Sequence, residues 1–224
     1  MQPDLDHNKI IRQTASAVLK PKGLFQKGSA RIWIDDNGWY LTVVEFQPSA
    51  WSKGSYLNVA IHYLWDDKDH LSFDYCCDER SLFIHRIGDF VEFDGDGEKF
   101  ASDIKTMAEA AVNKVEEYRR FRDLDYARTA IAQYKAHHIV NTLYPKLMIC
   151  GLSRDPHAAD YFNELLWVLR STDVEWTRKY YAELTEVIGP IIDDPQAFCD
   201  YISAKINRQR QFWQSKSSMK KMNR

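Results

Sequence analysis

A chain of 224 residues can bury a substantial core without disulfides or metals. With 45% apolar and 28% charged residues, its composition excludes a disordered chain. A net charge of −2 excludes a whole-molecule field aimed at nucleic acid or membrane. The first residues, Met1-Gln2-Pro3-Asp4-Leu5-Asp6, carry neither a basic region nor an apolar run, so no signal peptide is expected. No stretch approaches the ~18 apolar residues of a membrane span, and no membrane partner is expected. Cys76, Cys77, Cys150 and Cys199 show no repeated spacing, which suits reduced thiols in a cytoplasmic protein.

A first helix is predicted from Asp6 to Lys20, with Ile11, Ala15 and Val18 on one side and Pro21 and Gly23 closing it. The period then shortens to two. Ile32 and Ile34 alternate with Arg31, Trp33 and Asp35; Asn37-Gly38 marks a hairpin; Tyr40–Phe46 returns. A third strand is predicted over Tyr56–Trp65 and a fourth through Leu71, Phe73 and Tyr75. Weaker runs follow at Leu82–His85 and Phe90–Phe93. Short connections favour an antiparallel meander.

After Asp94-Gly95-Asp96-Gly97 the period becomes helical. Phe100, Ile104, Met107, Ala111, Val115 and Tyr118 share one face of a long helix. A second helix is expected from Leu124 to about Leu143, with Ala127, Ile131, Tyr134 and His138 inward and Pro145 ending it. Asp155-Pro156, Thr172-Asp173-Val174-Glu175 and Asp194-Pro195 read as three helix starts, and Gly189-Pro190 as a stop. The last helix places Phe198, Ile202, Ile206 and Trp213 on one stripe. The fold class is therefore α+β: an N-terminal helix, an antiparallel meander packed by a long helix, then a C-terminal helical region. The expected divisions are an α+β domain over residues 1–122, a helical region over 123–214 and a basic tail over 215–224.

Leu19-Lys20-Pro21-Lys22-Gly23-Leu24 before the hairpin, and Phe46-Gln47-Pro48-Ser49-Ala50-Trp51 leading into Tyr56-Leu57-Asn58-Val59-Ala60-Ile61, carry a family resemblance. Over roughly residues 8–93 the chain resembles an uncharacterised, mostly bacterial family, domain of unknown function 4304. The departure is at Leu24, where the family tends to have Phe after the glycine. The resemblance implies a fold and a bacterial origin, and no reaction.

Candidate chemistry is sparse. Asp66, Asp67, Asp69 and His70, with His62, Cys76 and Cys77 nearby, follow no metal-ligand spacing, so no metal site is expected. Asp94–Glu98 resembles the opening of a calcium loop, but Lys105 sits where the closing Glu belongs. Cys76-Cys77 near His62, His70 and His85 has the residue types of a thiol–imidazole pair. The alternation through Leu71, Phe73 and Tyr75 instead assigns Cys77 to the interior. No phosphate loop, HExxH or GxSxG motif occurs, so no cofactor and no catalytic residue is assigned.

Two surface features remain. The segment 47–55 holds Gln47, Ser49, Trp51 and Lys53, a tryptophan among small polar residues, which is the composition of a contact loop. The C-terminus carries Lys205, Arg208, Arg210, Lys216, Lys220, Lys221 and Arg224 with no acidic residue after Asp200, and interleaves Phe212 and Trp213. Residues 205–224 thus hold +7, leaving −9 on the rest. The expected function is a non-catalytic interaction module that binds another protein or a second copy of itself. The alternatives are a nucleic-acid binder using the basic tail and an enzyme of unrecognised class. The aromatic tail residues favour docking on protein, because Phe212 and Trp213 gain by burial.

Overall fold

The computed structural model describes residues 6–76, 86–172 and 174–216. The chain divides into two compact units: residues 1–119 together with 209 onward, and residues 120–208.

The first unit opens with helix α1 (His7–Leu19), whose N-cap Asp6 accepts the Asn8 N–H at 3.0 Å. Among the described residues five strands follow: β1 (Phe25–Gln26), β2 (Ile32–Asp36), β3 (Tyr40–Gln47), β4 (Gly54–Tyr63) and β5 (Arg86–Glu92). They form one sheet in sequence order with every neighbour antiparallel, as the short connections predict. Helix α2 (Gly97–Arg119) packs on α1, β3, β4 and β5 and buries Phe100, Ile104, Met107, Ala111, Val115 and Tyr118.

The Asn-Gly hairpin forms one residue out of its expected position. Asn37 N–H donates to the Tyr40 carbonyl, so Gly38 and Trp39 occupy the turn, with Gly38 at φ +91°. The Asn37 amide instead donates to the Asp35 carbonyl and carboxylate and to the Thr42 hydroxyl. Trp39 is folded under, stacked on Trp65 with centroids 4.9 Å apart.

Alternation in β3 and β4 predicts one buried face. Nearly all of both strands is buried, because the second face is covered too. On one side the Tyr40 hydroxyl donates to the Tyr118 carbonyl of α2. On the other, His62 meets the Trp213 ring. The run Leu71–Cys76 is not a strand: only Tyr75 bridges to Ile61. Its Ser72 and Asp74 are held by side-chain bonds to His62 and Lys68, and these replace a ladder. Cys77 and the expected strand Leu82–His85 lie outside the described residues.

The second unit is helical: α3 (Leu124–Gln133), α4 (Ile139–Ser153), α5 (Ala158–Arg170), α6 (Glu175–Ala182), and α7 (Pro195–Lys216) up to Arg208. The expected helix over 124–143 is in fact two. The chain breaks after Gln133, and His138, expected in the core stripe, is the N-cap of α4, its Nδ1 accepting the Val140 N–H. Pro145 does not stop a helix but lies inside α4. One lost backbone bond is outweighed there by burial of Leu143, Leu147, Met148 and Ile149. Gly151 lets α4 approach α7: a Cβ there would sit 2.3 Å from the Phe198 ring.

Thr172 does not cap α6. Its hydroxyl donates back to Val168, and Val174 is the N-cap without a side-chain bond; Asp173 lies outside the described residues. Asp194 does cap α7, accepting from Gln196 and Ala197 at 3.0 Å each. After α6 the chain widens into a π-helical segment, Glu183–Ile188, before the Gly189–Ile191 turn. The expected division at 214 also shifts: from Gln209 onward α7 belongs with the sheet unit. Among the described residues, no helix is long and apolar enough to cross a membrane.

Candidate interaction surface

The β3–β4 loop is held at its base and open at its tip. Arg31 Nη1 donates to the Gly54 carbonyl at 3.2 Å, Phe93 N–H donates to the Lys53 carbonyl at 2.9 Å, and the Ser55 hydroxyl lies 3.3 Å from the Gln47 carbonyl. Gly54, at φ +150°, passes so close to β5 that a Cβ would fall 2.2 Å from the Val91 carbonyl oxygen. Within the loop the Ser49 hydroxyl accepts the Trp51 N–H at 3.0 Å. Trp51 does not fold back onto the sheet edge; it is 94% exposed. Lys53 is exposed beside it.

Gln47 is not a free contact residue. Its Oε1 accepts from Asn58 at 3.0 Å and from Arg86 at 3.2 Å. The Arg86 guanidinium lies 3.7 Å over the Tyr56 ring, and Tyr56 meets Phe90 at 4.8 Å. These half-buried groups extend the surface from the loop along β5, and periodicity gave no signal for them. β5 itself is irregular, with a register shift against β4 and Gly88 at φ +68°. A bulged outer strand of this kind is poor at pairing with a further strand.

The C-terminal segment differs from its expected role. Trp213 is 2% exposed, edge-on to His62 at 5.7 Å and under the Lys27 ammonium at 5.2 Å, so it is core rather than contact surface. Phe212 packs edge-on to it at 5.3 Å and is half-buried. Arg210 pairs with Asp36 at 2.8 Å. Oriented so that both ends are satisfied, the Gln209 amide bonds the Lys68 N–H and carbonyl at 3.2 Å each. Lys205 is not a tail cation. It is 4% exposed in the helical unit, 2.5 Å from Glu183, whose carboxylate also accepts from the Tyr144 and Tyr201 hydroxyls. The sequence missed these pairings because their partners lie far away in the chain. Arg208 is exposed. The Lys216 side chain, Lys220, Lys221 and Arg224 lie outside the described residues.

The residues weighed for chemistry form a closed polar cluster. His62 Nδ1 lies 2.8 Å from the Ser72 hydroxyl and 3.5 Å from Asp74, and it accepts the Ser72 N–H at 3.3 Å. Burial pulls His62 down to about 4, with Asp74 opposing and Lys68 reinforcing. The imidazole is therefore neutral at pH 7, with its proton on Nε2, which is buried without a hydrogen-bond partner among the described residues. Burial opposes the Lys68 ammonium, but Asp74 at 2.6 Å and Asp66 at 2.9 Å more than offset it and raise its pKa. Serine and carboxylate both address the same imidazole nitrogen, whereas nucleophilic catalysis places them on opposite ones. Asp69 pairs with exposed His70. Among the described residues, no three His, Cys, Asp or Glu side chains converge on a metal position.

In the helical unit, a pocket of about 330 Å³ is lined by Arg128, Cys150, Asp155, His157 and Tyr161. His157 Nδ1 lies 2.7 Å from Asp155, which also pairs with Arg128. Burial pushes the Cys150 thiol up to about 11, so it stays protonated at neutral pH and is a poor nucleophile. The Asp155-x-His157 spacing is visible in sequence; Arg128 and Cys150 are brought to it only by the fold.

No family model matches the chain, and no curated protein or solved structure matches it, so the geometry of its own side chains is what bears on function.

Proposed function

We propose that the protein is an interaction module that binds another protein through the β3–β4 loop, with Trp51 as the anchoring side chain. The observation that supports this is a tryptophan 94% exposed on a loop secured at both ends. A large aromatic left in water gains by burial in a partner, and a loop already ordered loses little entropy on binding.

The test compares wild-type protein with Trp51→Ala, and with Trp167→Ala as a control at a second exposed tryptophan. Immobilised proteins are presented with extract of the native cells, and retained proteins are quantified by mass spectrometry. The expected result is a protein retained by wild type and by Trp167→Ala but lost with Trp51→Ala. Once purified, it should bind Trp51→Ala more weakly by about 2 kcal/mol, roughly thirtyfold. Equal retention by all three proteins refutes the proposal.

A further inference from the structure

Arg31 is 9% exposed, yet among the described residues its guanidinium makes one hydrogen bond, from Nη1 to the Gly54 carbonyl. Its Nη2 is buried without a partner, and no ion pair reaches it among the described residues. Burial lowers its pKa; Glu45 opposes that shift, and the like charge of Arg12 adds to it. Arg12 itself pairs with Asp6, at 3.8 Å on the surface. Glu45 is the carboxylate that acts on Arg31, from beyond ion-pair distance, and its Oε2 is occupied by the Asn58 amide.

Holding a single loop carbonyl does not require this residue. A guanidinium has five donors in a planar fork, and a neutral amide could bond one carbonyl without the desolvation penalty of a buried charge. The fork matches the oxygens of a carboxylate or a phosphate, to which arginine binds through two parallel bonds. A buried charged group with an unused donor calls for an ion or ligand that completes it.

We propose that Arg31 is the receptor of an oxyanion, a carboxylate or a phosphate, bound beneath the β3–β4 loop. The bound anion takes Nη2, while Nη1 keeps the Gly54 carbonyl and with it the end of the loop. The site is independent of any partner at Trp51, because an inorganic anion suffices to fill it.

The guanidinium resonances are followed by ¹H–¹⁵N NMR while sodium phosphate or sodium acetate replaces sodium chloride at constant ionic strength. Arg31 is assigned by its absence in Arg31→Gln. The expected result is a saturable shift at Arg31 with at least one oxyanion and none with chloride. Response to phosphate alone or acetate alone identifies the source, and response to both supports a general oxyanion site. An Arg31 resonance that responds to neither beyond chloride overturns the proposal, as does a shift confined to Arg119, whose guanidinium is already paired with Asp35. Should Arg31→Gln not fold, Arg31→Lys keeps the charge but loses the fork. It should then show the oxyanion-induced rise in Tm at about tenfold higher concentration; a midpoint equal to wild type overturns the proposal.

Discussion

Acidification should destabilise the sheet unit through His62. In the unfolded chain this imidazole titrates near 6.5; in the fold, burial lowers it to about 4. The unfolded state therefore binds the extra proton between those values, and stability falls as pH drops below 6.5. The loss is complete near pH 4 and absent above 7. Each pH unit in that window is worth about 1.4 kcal/mol, so the full loss is about 3 kcal/mol, of which about 2 kcal/mol is reached by pH 5. Protonation has a structural consequence as well. The charged ring no longer accepts the Ser72 N–H, is repelled by Lys68 and stays packed at right angles to Trp213. Asp74 at 3.5 Å is the group that could compensate. The assay is urea unfolding at pH 7 and pH 5 for wild type and His62→Gln, whose side-chain oxygen can still accept from Ser72. Wild type should lose about 2 kcal/mol more than the variant. Equal losses, or an NMR titration placing His62 near 6.5, would show that the imidazole is solvated or paired well enough to hold its proton, and the reasoning fails.

Trp213→Ala should lower stability by about 3–5 kcal/mol in urea unfolding, because it empties a fully packed site against His62 and beneath Lys27; a loss under about 1 kcal/mol would mean the end of α7 is not docked. Gly54→Ala should cost more than the usual 1–3 kcal/mol of an unfavourable backbone, since a methyl group there meets the Val91 carbonyl as well; a Tm equal to wild type refutes the close approach. Lys205→Met should destabilise by about 3 kcal/mol through the stranded Glu183 carboxylate, and adding Glu183→Leu should restore part of the loss; strictly additive losses would show the pair is not coupled.

The elements with a strong local signature were legible. The three central strands, α1 and the long α2 face follow from periodicity, and Asp6 and Asp194 cap as their chemistry requires. What failed depended on distant groups. Leu71–Cys76 alternates like a strand, yet its polar positions are claimed by His62 and Lys68 rather than by a ladder. Pro145 carries a local stop signal that burial of its helix overrides. The π-helical segment after α6 has no sequence signature at all; it places Glu183 against Lys205, Tyr144 and Tyr201.

The candidate site was legible only where context, rather than residue type, was informative, and the tryptophans show this. Trp51 stands among Ser, Ala, Pro and Lys with no apolar residue at strand or helix spacing, and it is exposed. Trp213 follows Ile206 by seven residues and Ile202 by eleven, two and three turns of helix, and it is buried. Its basic neighbours mislead, because Arg210 answers Asp36, which lies near the other end of the chain. Trp167 completes the contrast. It lies two positions after Leu165, about 200° around the helix from the stripe of Phe162, Leu165 and Leu169, and it is 70% exposed. Helical phase alone accounts for that exposure. At Trp51 no such phase operates, and a loop fastened by Arg31, Gly54 and Phe93 still presents the ring to solvent. This is why the binding proposal rests on Trp51 while Trp167 serves as its control.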